Sequence, residues 1–140
     1  MSQFFLAFTV LFVVVGGWFA LHFWLTPHVD RPDGRASRTG RCGDTMEVSL
    51  LFEGDRVART ACTSNGCVHS LNCLCAAADL AVGKTPDEIL RIDTDRVRES
   101  VGGLSEDYIH CACLAVETVR AAALDGARRR IRGQHRSWNT

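Results

Sequence analysis

The sequence predicts an α+β fold, a small antiparallel sheet of two to three strands packed with helices and preceded by a single transmembrane helix. Three stretches carry that expectation. Met46, Val48, Leu50 and Phe52 alternate with Thr45, Glu47, Ser49 and Leu51, the two-residue period of a half-buried strand. From Cys67 to Val82 the chain is apolar and alanine-rich and then meets Gly83, which suits a helix closed by a glycine. From Phe4 to Leu25 it is apolar without a charge, about 22 residues that as helix span roughly 33 Å against a hydrocarbon thickness of about 30 Å.

That first stretch reads as an uncleaved single-pass anchor. A cleaved signal would open with basic residues and end in small ones, whereas Met1-Ser2-Gln3 has no charged side chain and Trp18, Phe23 and Trp24 occupy the exit. The tryptophans suit the membrane interface, His22 is read as interfacial, and Gly16-Gly17 is tolerated where the backbone stays internally bonded. Arg31, Arg35, Arg38 and Arg41 follow the span and no Lys or Arg precedes it. The positive-inside rule therefore puts the chain in the cell inner (plasma) membrane with its soluble part facing the cytoplasm. There thiols stay reduced, and seven cysteines, an odd number, point to metal or sulfur chemistry rather than a disulfide framework. An exported, oxidised domain is the alternative.

The expected order is an anchor over 1–25, a linker or irregular arm over 26–41, a folded domain over 42–126 and a basic tail over 127–140. Glu53-Gly54-Asp55 turns the strand at 45–52 into a second one, Arg56 to Cys62. Antiparallel pairing then brings Cys42-Gly43-Asp44 and Gly66-Cys67 to one end of the hairpin. Thr85-Pro86-Asp87-Glu88 is a capping box opening a short helix through about Arg91. Asp93 to Ser100 is a further short helix or turn, closed by Gly102-Gly103. Ser105 caps a helix from about Glu106 to Leu124, with Ile109, Cys113, Val116, Val119 and Ala123 near helical spacing.

Cys42, Asp44, Cys67, His110 and Cys111 supply thiolate, imidazole and carboxylate from three separated segments, the donor set of a soft metal site. Cys67 stands where a helix begins, and backbone N–H groups there favour a thiolate. His110 and Cys111 are about 100° apart on a helix and can flank one site, whereas Cys111 and Cys113 are about 200° apart and cannot easily share an ion. A capping or core role is the other reading of His110. Cys113 is read as a small buried thiol on the apolar stripe, and Cys62, Cys73 and Cys75 mainly as buried small residues. His69 is either an outer group of the site or an exposed helix residue. No Cys-x-x-Cys pair occurs, which argues against a zinc knuckle, a ferredoxin run or a thioredoxin-type couple. Outside the C-terminal tail, where Trp138 follows Arg136, the basic residues are not interleaved with aromatic ones, which argues against a nucleic-acid binder. The arginines after Gly126 are read as a solvated, frayed tail, or as a segment lying on anionic lipid.

In this order the motifs resemble the NifU/IscU-type iron-sulfur cluster assembly scaffolds. Cys42-Gly43-Asp44, Gly66-Cys67 and His110-Cys111 look like that family's three cysteine motifs, and Gly83-Lys84-Thr85-Pro86-Asp87-Glu88-Ile89 like its loop and capped helix. The likeness runs from Cys42 to about Ala123, and faintly over His28 to Gly34. It implies a non-enzymatic platform: a cysteine desulfurase delivers sulfur, iron arrives, and a transient [2Fe-2S] cluster forms on Cys42, Cys67 and Cys111 before passing to acceptor proteins. Asp44 and His110 would be exchangeable ligands, and zinc at the same residues would also fit. A homodimer is left open. Leu104-Ser105-Glu106-Asp107-Tyr108 departs from the family's Leu-Pro-Pro-type chaperone motif, the short arm before Cys42 predicts a truncated first strand, and the anchor is unusual. Two other readings stand beside the scaffold: a zinc-bound persulfide acceptor in a sulfur-transfer relay, and a structural subunit of a membrane complex.

Overall fold

The computed structural model describes residues 2–25 and 31–137. Helix α1, Ser2–Leu25, comes first. Its stretch Gln3–Trp24 is long and apolar enough to cross a membrane by length and composition, and its described side chains are all exposed. A three-stranded antiparallel sheet follows in the order β1 (Gly34–Thr39), β2 (Thr45–Glu53) and β3 (Arg56–Ser64). The hairpin of β2 and β3 is the one expected, turned at Gly54 with φ +65°. Met46, Val48 and Leu50 are completely buried and Phe52 nearly so, because the alternation places all four on one face. Helices α2 (Val68–Ala81) and α5 (Ile109–Ser137) cover that face: α5 lies across β1 and β2, α2 lies against β3, and the two helices pack on each other. Small residues at Ala77, Ala78, Ala81, Ala112, Ala115, Ala122 and Ala123 line the contacts.

Helix α3, Pro86–Ile89, carries the predicted capping box: the Glu88 N–H donates to Thr85 Oγ1 at 3.3 Å and the Thr85 N–H to Glu88 Oε2 at 2.9 Å. Helix α4, Thr94–Ser100, is capped by Asp93, whose Oδ1 accepts from the Arg96 N–H at 2.9 Å. Three expectations are corrected. The stretch read as linker or arm, in which the resemblance implied only a truncated first strand, carries β1, six residues paired in register with β2 from Gly34 opposite Leu50 to Thr39 opposite Thr45; residues 26–30 of that linker, His28 among them, lie outside the described residues. The helix expected from Glu106 starts as a single 3-10 turn, Glu106–Tyr108, so that α5 proper begins at Ile109. It then runs on to Ser137 instead of ending near Leu124 in a frayed tail. Tertiary contacts near Gly126 explain the extension. Asp125 Oδ2 accepts from the Arg35 N–H at 3.0 Å and from Arg129 at 2.8 Å, Gly126 is buried on Phe52, and the Arg130 guanidinium lies 5.3 Å above the Phe52 ring. Residues 138–140, with Trp138, lie outside the described part.

Candidate metal and sulfur site

Three chain reversals meet at one end of the sheet. The turn between β1 and β2 is closed by the Gly40 N–H donating to the Asp44 carbonyl at 2.8 Å, and Gly43 takes φ +83°, a left-handed conformation that suits glycine. It leaves Cys42 exposed at the tip and turns Asp44 inward. At the end of β3 the Asn65 N–H donates to the Thr45 carbonyl at 3.2 Å, while the Thr45 N–H donates to Asn65 Oδ1 at 2.6 Å. That clamp sets Gly66 directly against Asp44: a Cβ on Gly66 would lie 2.5 Å from Asp44 Oδ2. Cys67 is the N-cap residue of α2. The third reversal delivers His110 and Cys111 in the first turn of α5. Exposed His69 stacks on Tyr108 with ring centroids 4.1 Å apart, tying the start of α2 to the turn before His110.

The five predicted residues come together, joined through a sixth that the sequence reading missed. His110 Nε2 stands 3.5 Å from Cys42 Sγ and 3.5 Å from Cys111 Sγ. Ser70, completely buried, donates to Asp44 Oδ2 at 2.6 Å and lies 3.4 Å from Cys67 Sγ and 3.5 Å from Cys111 Sγ. One hydroxyl carries one proton, so Ser70 serves Asp44 or Cys67 at any instant while its lone pairs accept from the Cys111 thiol. The signal for Ser70 was in the spacing: three residues after an N-cap cysteine is one turn along the same face. Cys42, Asp44, Ser70, His110, Cys111 and Cys113 border a cleft of about 540 Å³.

The thiols differ in character. Cys67 is held below the ordinary thiol value, first by the Ser70 hydroxyl and then by the Ser70 and His69 backbone N–H groups, as expected at a helix start. Cys111 is pushed up, chiefly by burial, with the charges of Cys67 and Asp44 adding to the effect. Behind it, buried Cys73 is raised to about 11, mainly by burial. The expectation for Cys113 is corrected: it is exposed, and Cys111, its neighbour two residues away, is the buried one at 2%. Cys62 and Cys75 are only half-buried and touch each other.

A soft ion bound at about 2.0–2.3 Å in a tetrahedron has neighbouring donor atoms roughly 3.3–3.8 Å apart. Both separations from His110 Nε2 fall in that range, so His110 has ligand-like spacing to Cys42 and, separately, to Cys111. Cys67 and Asp44 are gathered through Ser70 instead, and among the described residues no three donors close around a common point. The donor chemistry fits a thiophilic metal or cluster, with Cys67 as the readiest nucleophile.

Comparison with known proteins places the fold. The chain is 33% identical over 84 residues to the iron-sulfur cluster assembly scaffold protein IscU 1 of Archaeoglobus fulgidus, a match covering 60% of this chain and 55% of that protein. It is 26% identical over 83 residues to the nitrogen fixation protein NifU of Nostoc sp., covering 58% of this chain and 28% of that one. The chain thus spans about half the length of the first relative and less of the second. The crystal structure of a nitrogen-fixing NifU-like protein (N-terminal) from Brucella abortus superposes with a TM-score of 0.53 at 18% identity, over 71% of this chain and 83% of that one. The model of the NifU-like N terminal domain matches residues 33–132, most of the chain and every residue of the site, and this protein belongs to that family.

Proposed function

We propose that the chain is an iron-sulfur cluster assembly scaffold, a platform without turnover of its own. The observation that carries this is the meeting of Cys42, Cys67, Cys111, His110 and Asp44 at one end of the sheet, with His110 Nε2 3.5 Å from two thiols. The relative named an iron-sulfur cluster assembly scaffold protein supports it. The cluster is cargo. Cys67, with its lowered pKa, is the thiol suited to attack the outer sulfur of a desulfurase's persulfide, releasing that enzyme's thiolate and leaving the sulfur on Cys67. With iron and electrons from a reductant, a [2Fe-2S] core would sit on Cys42, Cys67 and Cys111. Asp44, an oxygen donor held weakly by soft metals, and exposed His110 would be the ligands that let go when an acceptor protein takes the cluster.

Anchoring belongs to the same proposal. Helix α1, with arginines after it, would hold the domain on the cytoplasmic side of the inner membrane and supply clusters to a membrane-bound acceptor. The 3.5 Å spacings suit zinc equally, and they favour as a second reading a zinc-bound persulfide acceptor.

The test is anaerobic reconstitution of the full chain in detergent micelles with iron, cysteine and a desulfurase. Visible charge-transfer bands and acid-labile sulfide that vanish in Cys42→Ser are expected. A colourless protein retaining one zinc would favour the relay. Neither iron nor zinc would overturn both and leave a structural subunit.

A further inference from the structure

Cys62 near the end of β3 and Cys75 in α2 are separated by the whole Cys67 segment in sequence, yet their sulfurs lie 2.8 Å apart. No sequence motif announces the pair; the packing of α2 on β3 creates it. Neither residue lines the cleft. Both are half-buried, open enough for a small reagent. We propose that Cys62 and Cys75 are an oxidisable dithiol that small-molecule disulfides close into a cross-link between β3 and α2.

Chemically, the Cys62 thiol is pushed up to about 12, first by burial and then by its partner sulfur. That makes Cys62 the second of the pair to react. Cys75, giving its proton to solvent, displaces one half of a small disulfide and forms a mixed disulfide. Cys62 then loses its proton and attacks the Cys75 sulfur, and the second half of the reagent leaves as a thiol. Two protein thiols are oxidised, one reagent disulfide is reduced to two thiols, and the balance closes without a metal.

The consequence follows from what lies between the two residues. The segment from 62 to 75 contains Asn65, Gly66, Cys67 and Ser70, so the cross-link pins both ends of the loop that presents Cys67. Oxidation removes freedom from that loop without modifying any residue of the metal site.

The experiment equilibrates the full chain in detergent micelles, anaerobically, with mixtures of glutathione and glutathione disulfide, then acid-quenches, alkylates, digests and maps the peptides by mass spectrometry. The expected product is a Cys62–Cys75 linked peptide, two hydrogens lighter than its parts, that grows with the disulfide fraction and is lost on adding dithiothreitol. In the linked form the amides of residues 65–70 should exchange with deuterium several-fold more slowly. In Cys62→Ser, Cys75 should stop at the glutathione mixed disulfide. Recovery of free Cys62 and Cys75 where Cys67 is already glutathionylated, or of separate glutathione adducts on both in the unmutated chain, would overturn the assignment. Linkage without slower exchange would overturn its coupling to the Cys67 loop.

Discussion

Replacing Ser70 by alanine should uncouple Cys67 from the rest of the site while leaving the domain folded. The hydroxyl has no exposure, and its shortest contact is 2.6 Å to the Asp44 carboxylate. A hydrogen bond to a charged group contributes about 1.5–3 kcal/mol. Asp44 is itself half-buried and can recover some hydration, so the lower end, about 1.5 kcal/mol, is the expected loss of stability. Cys67 changes in a different quantity. Ser70 is the first cause of its lowered pKa and the helix-start N–H groups come after it. In Ser70→Ala the thiol should move back toward the ordinary range without reaching it.

The assay is the pH dependence of iodoacetamide alkylation at Cys67, mapped by peptide mass spectrometry, beside urea unfolding of the full chain in micelles. Thr118→Ala is the control. Its hydroxyl is also completely buried and donates to the Leu114 carbonyl at 2.7 Å, two helical turns from Cys111. Both variants should lose stability, and only Ser70→Ala should shift the alkylation profile to higher pH. A profile that stays put in a folded Ser70→Ala protein would refute Ser70 as the link and leave the helix start as the whole cause.

Two further outcomes are expected. Gly34→Ala places a Cβ 2.2 Å from the Ala122 carbonyl oxygen, a backbone atom that cannot turn aside; β1 and α5 must separate, at a cost of about 1–3 kcal/mol or more, read as a lower urea midpoint. Stability should also fall in alkali. Cys62 and Cys73 ionise near the ordinary 9.0 when unfolded but only near about 12 and about 11 when folded. Their raised values therefore contribute stability that is complete below pH 9 and lost as pH climbs through 11 and 12. A urea midpoint falling no faster between pH 9 and 11 in the parent than in a Cys62→Ala, Cys73→Ala double variant would contradict this.

The hairpin was legible because its information is local. Four apolar residues at a period of two, a glycine turn and antiparallel pairing suffice to bring Cys42 and Cys67 to one end. The capping box at Thr85 was legible for the same reason. β1 was not, because Gly34-Arg35-Ala36-Ser37-Arg38-Thr39 has no large apolar side chain to betray a buried face. Its inner side is glycine and alanine because the α5 backbone comes so close, and it is held by its ladder with β2, the Arg35–Glu47 ion pair and the Arg35 N–H on Asp125. Only the partner's position explains such a strand. The extension of α5 past Gly126 has the same cause, since the contacts that hold it belong to Phe52, Gly34 and Arg35.

The exchange of roles between Cys111 and Cys113 shows what helix phase does to a site. A stripe through Ile109, Cys113, Val116, Val119 and Ala123 is a plausible face, but a second face through Ala112, Ala115, Val116, Val119, Ala122 and Ala123 shares half its members. Cysteine, apolar and reactive at once, does not decide between them. The observed phase buries Ala112 and Ala115 against the sheet and α2, turns Cys111 to Ser70, and leaves Cys113 to solvent, 3.7 Å from the Thr94 hydroxyl. A rotation by one residue would have removed the only buried thiol among the proposed ligands. With the actual phase, Cys42 and Cys67 stay exposed to a visiting protein while Cys111 is buried at the border of the cleft. A partner can thus touch two thiols and leave the third in place, the asymmetry that a platform needs if its cargo is to be both held and given up.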